Sequence, residues 1–429
     1  MLLQDPLEGC FFCKPEPWRT IFTGQHTQIV AGAGPLCPGY CILAPRSHIH
    51  TVADLDEQCF WEFIAVFELL KLSLTSQYRP GFTAYEHGRI GACRTLEVSN
   101  DFSTFCHHAH RVVLPVHTDC VAQIEPWFES VFPLESPASI RRLADEEYVY
   151  YEVGFGSTSI QRLGFTGHKG IPSQFMRRIL TTALNSGRDW SWATDPNYEE
   201  MIDTVARLRG EFVGISAIEG EVGDSNVPRR LRCNVSLDGF AYVGKTTIAE
   251  SLRRHFKCPV IDTGVIFRHM AFAKLQGMPD PTHEDLKRYI LEPPADLPLR
   301  TTAVTAEASS MASDPARRKV FSDLITQVIA DLTPCIVVGR DTWRFLSGDE
   351  RRLLIEADFE TRFRRRFLWE ALNEHRLPDT KELRDRIRST DEKDRSKLPP
   401  NDTRGLIRVG NGQRLYSATL LQIMNEIGE

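Results

Sequence analysis

The chain has 429 residues, of which 42% are apolar and 25% charged, and a net charge of −6. That length suits two or three domains, and that composition is ordinary for a soluble protein. The slight acidity gives no global attraction to nucleic acid or to an anionic membrane. Met1-Leu-Leu-Gln-Asp-Pro carries acid early, and no apolar run approaches about 18 residues. A cytoplasmic protein without signal peptide or membrane span is therefore expected. The 11 cysteines are odd in number and scattered, which favours thiols or metal ligands over a disulfide framework.

Near the start, Cys10-Phe-Phe-Cys13 spells C-x-x-C. By itself it is open to three readings: a redox pair, half of a zinc site, or two free thiols. Thr27-Gln-Ile-Val-Ala and Tyr40-Cys-Ile-Leu-Ala alternate like strands, with a Gly- and Pro-rich turn between them. Pro45-Arg-Ser-His48-Ile-His50 follows. Residues 54–74 carry Phe60, Phe63, Ile64, Phe67 and Leu70 at helical spacing. Phe82-Thr-Ala-Tyr-Glu-His-Gly88 reads as a further strand. Then comes Cys106-His-His108-Ala-His110-Arg111-Val112-Val-Leu-Pro115. On an extended chain His108, His110 and Val112 share one face. Two histidines on one strand face suit a metal site, a phosphate-handling pair, or both.

Taken together, these features resemble the histidine-triad (HIT) superfamily of nucleotide hydrolases and transferases. The resemblance rests on C-x-x-C, on Gly39-Tyr40 with Pro45-x-x-His48, on Tyr85-Glu-His-Gly88, and on His108-Ala-His110 with Pro115. It continues through Pro172-Ser-Gln-Phe-Met-Arg-Arg and Trp190-Ser-Trp192, covering roughly residues 8–215. It implies an α+β domain with Zn2+ held by Cys10, Cys13, His48 and His108, His50 being the nearest competitor for His48. It also implies that His110 is the nucleophile on a nucleotide conjugate, passing the nucleotidyl group to water or another acceptor. This chain departs from the superfamily at Val112, where the third triad residue would be His or Gln, at Arg111, usually apolar, and at Ser103–Cys106, which lacks the usual glycines.

Residues 218–231, rich in Gly, Asp, Ser and Pro, form the candidate linker between domains at 1–217 and 232–429. Next, Asn234-Val-Ser-Leu-Asp is an apolar strand. It leads into Gly239-Phe-Ala-Tyr-Val-Gly244-Lys245-Thr246-Thr247, and then into a helical repeat over 248–256. Strand, G-x-x-x-x-G-K-T and helix make a phosphate-binding P-loop. Gly239, Gly244, Lys245, Thr246 and Thr247 are the expected ATP-binding set. Lys245 is aimed at the β- and γ-phosphates, and Thr246 is the Mg2+ ligand. Strands are predicted again at 259–262, 334–338 and 351–357, alternating with helical stretches. That order implies a doubly wound parallel sheet, with ligands beyond the carboxyl ends of its strands.

From about residue 232 onward the chain resembles a cytidylate kinase. The motifs are the P-loop, Asp262-Thr263-Gly-Val-Ile-Phe-Arg268, Ser309 with Pro315-x-x-Arg318, Gly339-Arg340-Asp341, Glu360-Thr-Arg362-Phe-Arg-Arg365-Arg366, and Asp391-Glu-Lys-Asp394-Arg395. The resemblance implies that Thr263, Arg268, Arg318 and Asp341 contact the acceptor nucleotide, and that Ser309 contacts its base. Arg362 and Arg365 would lie in a lid over the donor phosphates. Lys245, Arg340, Asp341, Arg362, Arg365 and, in the first domain, His110 are then the expected catalytic set. Departures stand at Val338, Thr390 and Lys397, where an acid and two arginines are usual. The partners implied are ATP, a nucleoside monophosphate such as CMP or dCMP, and a nucleotide conjugate at the first domain. A rival reading makes that first domain a non-catalytic binding or regulatory module. The sequence assigns no oligomeric state.

Overall fold

The structure, a computed structural model, describes residues 10–88, 108–118, 120–144, 146–156, 158–165, 171, 174–192, 194–216, 230–292, 297–299, 301–348, 350–412 and 416–428. The chain divides into two compact units, Met1–Ala217 with Arg364–Asp379, and Ile218–Phe363 with Thr380–Glu429. The segment 364–379 groups with the first unit, not with the residues that flank it in sequence. The expected linker lies outside the described residues except for Arg230 and Leu231, and so does the Ser103–Cys106 segment. Among the described residues no helix is long and apolar enough to cross a membrane.

The first unit contains β1 (Thr20–Thr23), β2 (Thr27–Ala31), β3 (Cys41–Pro45), α1 (Glu57–Gln77), β4 (Phe82–Gly88) and β5 (Arg111–Leu114). It continues with a short α2 (Val121–Ile124), β6 (Ser130–Pro133), β7 (Tyr148–Phe155), β8 (Thr158–Phe165), α3 (Phe175–Leu184) and α4 (Tyr198–Phe212). The eight strands form one antiparallel sheet in the order β1-β2-β3-β5-β4-β7-β8-β6. The first unit is thus an antiparallel sheet with helices. The Asp56 carboxylate caps α1 by accepting from Cys59 N at 2.8 Å. Phe60, Phe63, Phe67 and Leu70 are buried along that helix, as the spacing required.

β5 shows how the sheet separates two environments. Val112 and Leu114 face a core shared with Tyr40, Ile42, Tyr85, Val149 and, from α3, Phe175 and Met176. Arg111 points the other way, onto the rings of Phe63 and Phe67 of α1 and of Tyr150. There its guanidinium bonds Glu86 Oε2 at 2.8 and 3.2 Å, and the Tyr148 hydroxyl donates to Glu86 Oε1 at 2.5 Å. A buried charge needs such a partner. Arg111 at an otherwise apolar position is thus explained by Glu86, its cross-strand neighbour.

The second unit contains β9 (Val235–Asp238), α5 (Lys245–Phe256), β10 (Val260–Asp262), α6 (Thr263–Leu275), α7 (His283–Leu291), α8 (Thr302–Ser313) and α9 (Pro315–Asp331). Then follow β11 (Ile336–Val338), β12 (Arg351–Glu356), α10 (Phe359–Glu374), α11 (Thr380–Asp394), β13 (Leu406–Gly410) and α12 (Tyr416–Ile427). All neighbours in the five-stranded sheet β10-β11-β9-β12-β13 are parallel. Side chains alternate between its faces. Ile336 and Val338 pack with α5 and α12, whereas Val337 packs with α6, α8 and α9. A sheet buried on both faces is what the near-continuous apolar strands require.

Candidate functional site

In the second unit the P-loop joins β9 to α5. Gly239 has φ +149° and Gly244 φ +94°. A Cβ on Gly239 would meet the Ile355 carbonyl oxygen at 2.4 Å, so only glycine fits there. Lys245 Nζ donates to the carbonyls of Gly239 and Phe240, at 2.7 Å each. Burial, and then the charge of Arg340, lowers its ammonium to about 7. Thr246 and Thr247 are exposed on the first turn of α5. The Thr246 hydroxyl is thereby free to face a phosphate-bound Mg2+ at the helix N-terminus.

Asp238 ends β9 and is buried. Its carboxylate accepts from Thr342 N at 2.7 Å and from Trp343 N at 2.9 Å. Burial pushes this carboxyl up to about 6, against the pull of those N–H groups. The bonds fix the turn after β11, and therefore the base of Gly339-Arg340-Asp341. A Cβ on Gly339 would lie 2.5 Å from both Thr263 Oγ1 and Thr342 Cγ2. That glycine lets Thr263 come close enough to donate to Val338 O at 3.0 Å. Asp238 was not singled out in the sequence. Its signal was an acid at the end of an apolar strand, immediately before the glycine loop.

The cations of this site are held by carboxylates. Arg340 pairs with buried Asp394 at 2.8 Å, where Lys397 also binds at 3.0 Å. Arg318 pairs with Asp341. Arg362 makes two 2.7 Å bonds to Asp391 and reaches the P-loop carbonyl of Ala241 at 3.4 Å. Lys245, Thr263, Arg340 and Asp341 thus lie at the carboxyl ends of the strands or the glycine loop, with Arg318 paired to Asp341 and Arg362 beside the loop. Arg268 is half-buried on α6. Ser309 is exposed on α8, its hydroxyl donating to Thr305 O at 2.9 Å. Arg365 falls in the first unit, where its Nε donates to Gly214 O at 2.8 Å. It is not brought to the P-loop among the contacts described.

In the first unit Cys10, Cys13, His48 and His108 place one ligand atom each within 4.8 Å of one another. Cys10 Sγ lies 3.4 Å from His108 Nδ1, and Cys13 Sγ lies 3.3 Å from His48 Nδ1 and 3.6 Å from His108 Nδ1. Zinc bonds of about 2.0–2.3 Å give tetrahedral edges of roughly 3.5 Å, so donor set and spacing fit that ion. His108 Nε2 donates to Pro45 O at 2.8 Å, leaving Nδ1 with its lone pair toward the thiols. His50 packs edge-on against His48 and is not part of the cluster.

His110, half-buried, donates Nδ1–H to the His108 carbonyl at 2.9 Å and stacks on Phe12. That bond fixes the tautomer whose Nε2 carries a lone pair. Burial holds the imidazole below its ordinary pKa, the carbonyl bond working the other way. Val112, at the third triad position, is 2% exposed and filled in by core side chains.

A glycine loop at the start of α5, on a parallel sheet with helices on both faces, defines a P-loop nucleotide-binding domain. The sequence profile of the family described as "Cytidylate kinase" matches residues 235–400. A cytidylate kinase of Maridesulfovibrio salexigens is 31% identical over 183 residues, covering 38% of this chain and 81% of that one. A cytidylate kinase of Mycoplasmopsis pulmonis is 27% identical over 213 residues, covering 46% of this chain and 96% of that one. Through its C-terminal domain the chain belongs to the cytidylate kinase family.

Proposed function

We propose that the C-terminal domain transfers the γ-phosphoryl group of ATP to a nucleoside monophosphate, CMP or dCMP being the best of the common acceptors. The observation that carries this reading is the convergence of Lys245, Arg340 and Arg362 on the P-loop end of a parallel sheet, within a cytidylate kinase family match. Phosphoryl transfer asks a protein for positioning and charge neutralisation rather than covalent chemistry. In this assignment Lys245 leaves its two carbonyls for the β- and γ-phosphates. Arg340 and Arg362 exchange Asp394 and Asp391 for phosphate oxygens, and Arg318, Asp341, Thr263, Arg268 and Ser309 hold the acceptor. Mg2+ brought with ATP and held at Thr246 supplies further neutralisation. The test is a screen of nucleoside monophosphates with ATP, following ADP and the new diphosphate together. A wide preference for AMP would remove the pyrimidine assignment.

For the N-terminal domain we propose a HIT-like centre, with zinc on Cys10, Cys13, His48 and His108, and His110 as nucleophile toward a nucleotide conjugate. The Nδ1–H bond from His110 to the His108 carbonyl supports this, since it leaves Nε2 unprotonated for attack on phosphorus. The buried, apolar Val112 favours the other reading, a zinc-stabilised module that binds nucleotide without chemistry. A nucleotidyl group trapped on His110 decides for catalysis. Its absence with a folded, zinc-loaded domain decides for binding. If catalysis holds, the first domain releases a nucleoside monophosphate that the second can phosphorylate.

A further inference from the structure

The geometry points to His87, held by Glu147, as the proton donor to the leaving group in the first unit, the place that Val112 cannot fill. This rests on the proposal that His110 is a nucleophile. In the β4–β5 ladder Thr83 faces Leu114, Ala84 faces Val113 and Tyr85 faces Val112. Continued in the same register, Glu86 faces Arg111 and His87 faces His110. The 2.8 Å ion pair of Glu86 with Arg111 brings the next two residues of the two strands together, as that continuation requires. Directly opposed residues of an antiparallel pair have Cβ atoms about 4.5–5.5 Å apart.

His87 and His110 also share a face of the sheet. His110 stacks on Phe12, which packs against the core cluster of Tyr85, Val112 and Val149. On the next strand, β7, His87 pairs with Val149 of that same cluster. Glu147, two residues before Val149, comes up on the same side, and its Oε1 lies 2.8 Å from His87 Nε2. Ile171 of the cluster donates its backbone N–H to that oxygen at 3.3 Å, which fixes the carboxylate. His110 and Glu147, immediately before β5 and β7, thus flank His87 at one end of β4, the strand between them. The side chains of His87 and Glu147 stay 20% and 26% exposed, so this end opens to solvent while Val112 does not.

The chemistry is a two-step transfer. His110 Nε2 forms a bond to phosphorus as the bond to the leaving oxygen breaks. That oxygen takes a proton from Nδ1 of the His87 imidazolium, whose Nε2–H remains on the Glu147 carboxylate. In the second step water attacks phosphorus and gives its proton to the now neutral His87, and the phosphorus–nitrogen bond breaks. A carboxylate that orients an imidazole and stabilises its charged form is a recurrent device for such transfer. His87 touches the leaving group and is a catalytic residue. Glu147 acts through it and is a positioning residue.

The test compares two substrates on the full chain, the p-nitrophenyl ester and a simple alkyl ester of CMP. Nitrophenolate departs without a proton, whereas an alkoxide needs one. His87→Gln should lower turnover of the alkyl ester about 10²–10⁴-fold, the range of general acid catalysis, and that of the nitrophenyl ester far less. Glu147→Gln should show the same ester preference with a smaller loss, and it decides the matter if His87→Gln does not fold. His110→Ala should abolish both reactions. Equal losses on the two esters, or none, in variants that keep their zinc and melting temperature would overturn the role of His87 while leaving His110 standing. A wild-type chain that cleaves neither ester overturns both this inference and the catalytic reading beneath it.

Discussion

The two candidate centres are built from opposite kinds of group. In the second unit three arginines of the candidate site are matched to carboxylates: Arg340 to Asp394, Arg318 to Asp341, Arg362 to Asp391. Guanidiniums held this way are oriented by charge-assisted hydrogen bonds. The first unit holds the buried Arg111–Glu86 pair on the far side of the sheet, under α1. Toward its candidate site it presents imidazoles and thiols, groups suited to a metal and to a covalent bond. One centre gathers paired cations; the other gathers imidazoles and thiols.

The largest effect that would break this contrast is loss of the metal. Zinc sites of this composition contribute on the order of 10 kcal/mol in small modules, and thiolate ligation makes that binding weaken in acid. Cys13→Ser is expected to remove the zinc and lower the melting temperature of the first unit by many degrees. The measurement is zinc content per chain alongside a thermal melt, with and without chelator. Purified protein without zinc, or a melt indifferent to both variant and chelator, would mean that the cluster is four ordinary side chains.

Next in size is Lys245→Ala. Removing one preorganised charge that meets developing negative charge costs about 10²–10³ in turnover or more. Steady-state phosphotransfer should fall by at least that factor, with zinc content unchanged. Near-normal turnover would remove Lys245 from the mechanism and leave the carboxylate-held arginines as the working cations.

The motifs that mark both candidate sites are legible in the sequence, because their signals are local. The glycine loop, β2 at Thr27–Ala31, β4 at Phe82–Gly88 and the parallel strands all came out within a residue or two of expectation. The partners of the charged groups did not. Glu86 for Arg111, Asp391 for Arg362 and Glu147 for His87 lie 25, 29 and 60 residues away along the chain. No periodicity links such positions; only the fold does. Arg365 shows the converse. It sits in a basic run with Arg362, yet three residues on a helix separate the two into different units.

Val112→His sharpens the contrast at the third triad position. On a strand read in isolation this substitution restores a triad. In the folded domain it places an imidazole among Tyr40, Ile42, Tyr85, Phe175 and Met176. Burying that polar ring in a space shaped for valine is expected to cost about 1–3 kcal/mol. Chemical denaturation of the variant measures it directly. Unchanged stability together with a rise in ester cleavage would show that α3 yields to admit the ring, and would favour catalysis over the binding-module reading.

The smallest expected effect is a proton taken up when ATP binds. In the free protein, burial and the charge of Arg340 hold Lys245 near 7. Phosphate oxygens arriving at Nζ favour the charged form, so the bound value is higher. Below about pH 6 the ammonium is charged in both states, and binding takes up no proton at this residue. Above about 7 the free amine must gain one, so ATP affinity falls as pH rises, by at most about tenfold per unit, until the bound value is passed. Calorimetry in two buffers of different ionisation heat, at about pH 6 and about pH 8, reads the uptake, and Lys245→Ala gives the contribution of ATP itself. Uptake at the higher pH that vanishes in the variant is the expected result. Equal uptake with and without the lysine would mean that Lys245 is already charged in the free protein, and that this site, like its arginines, stores its cations ready-made.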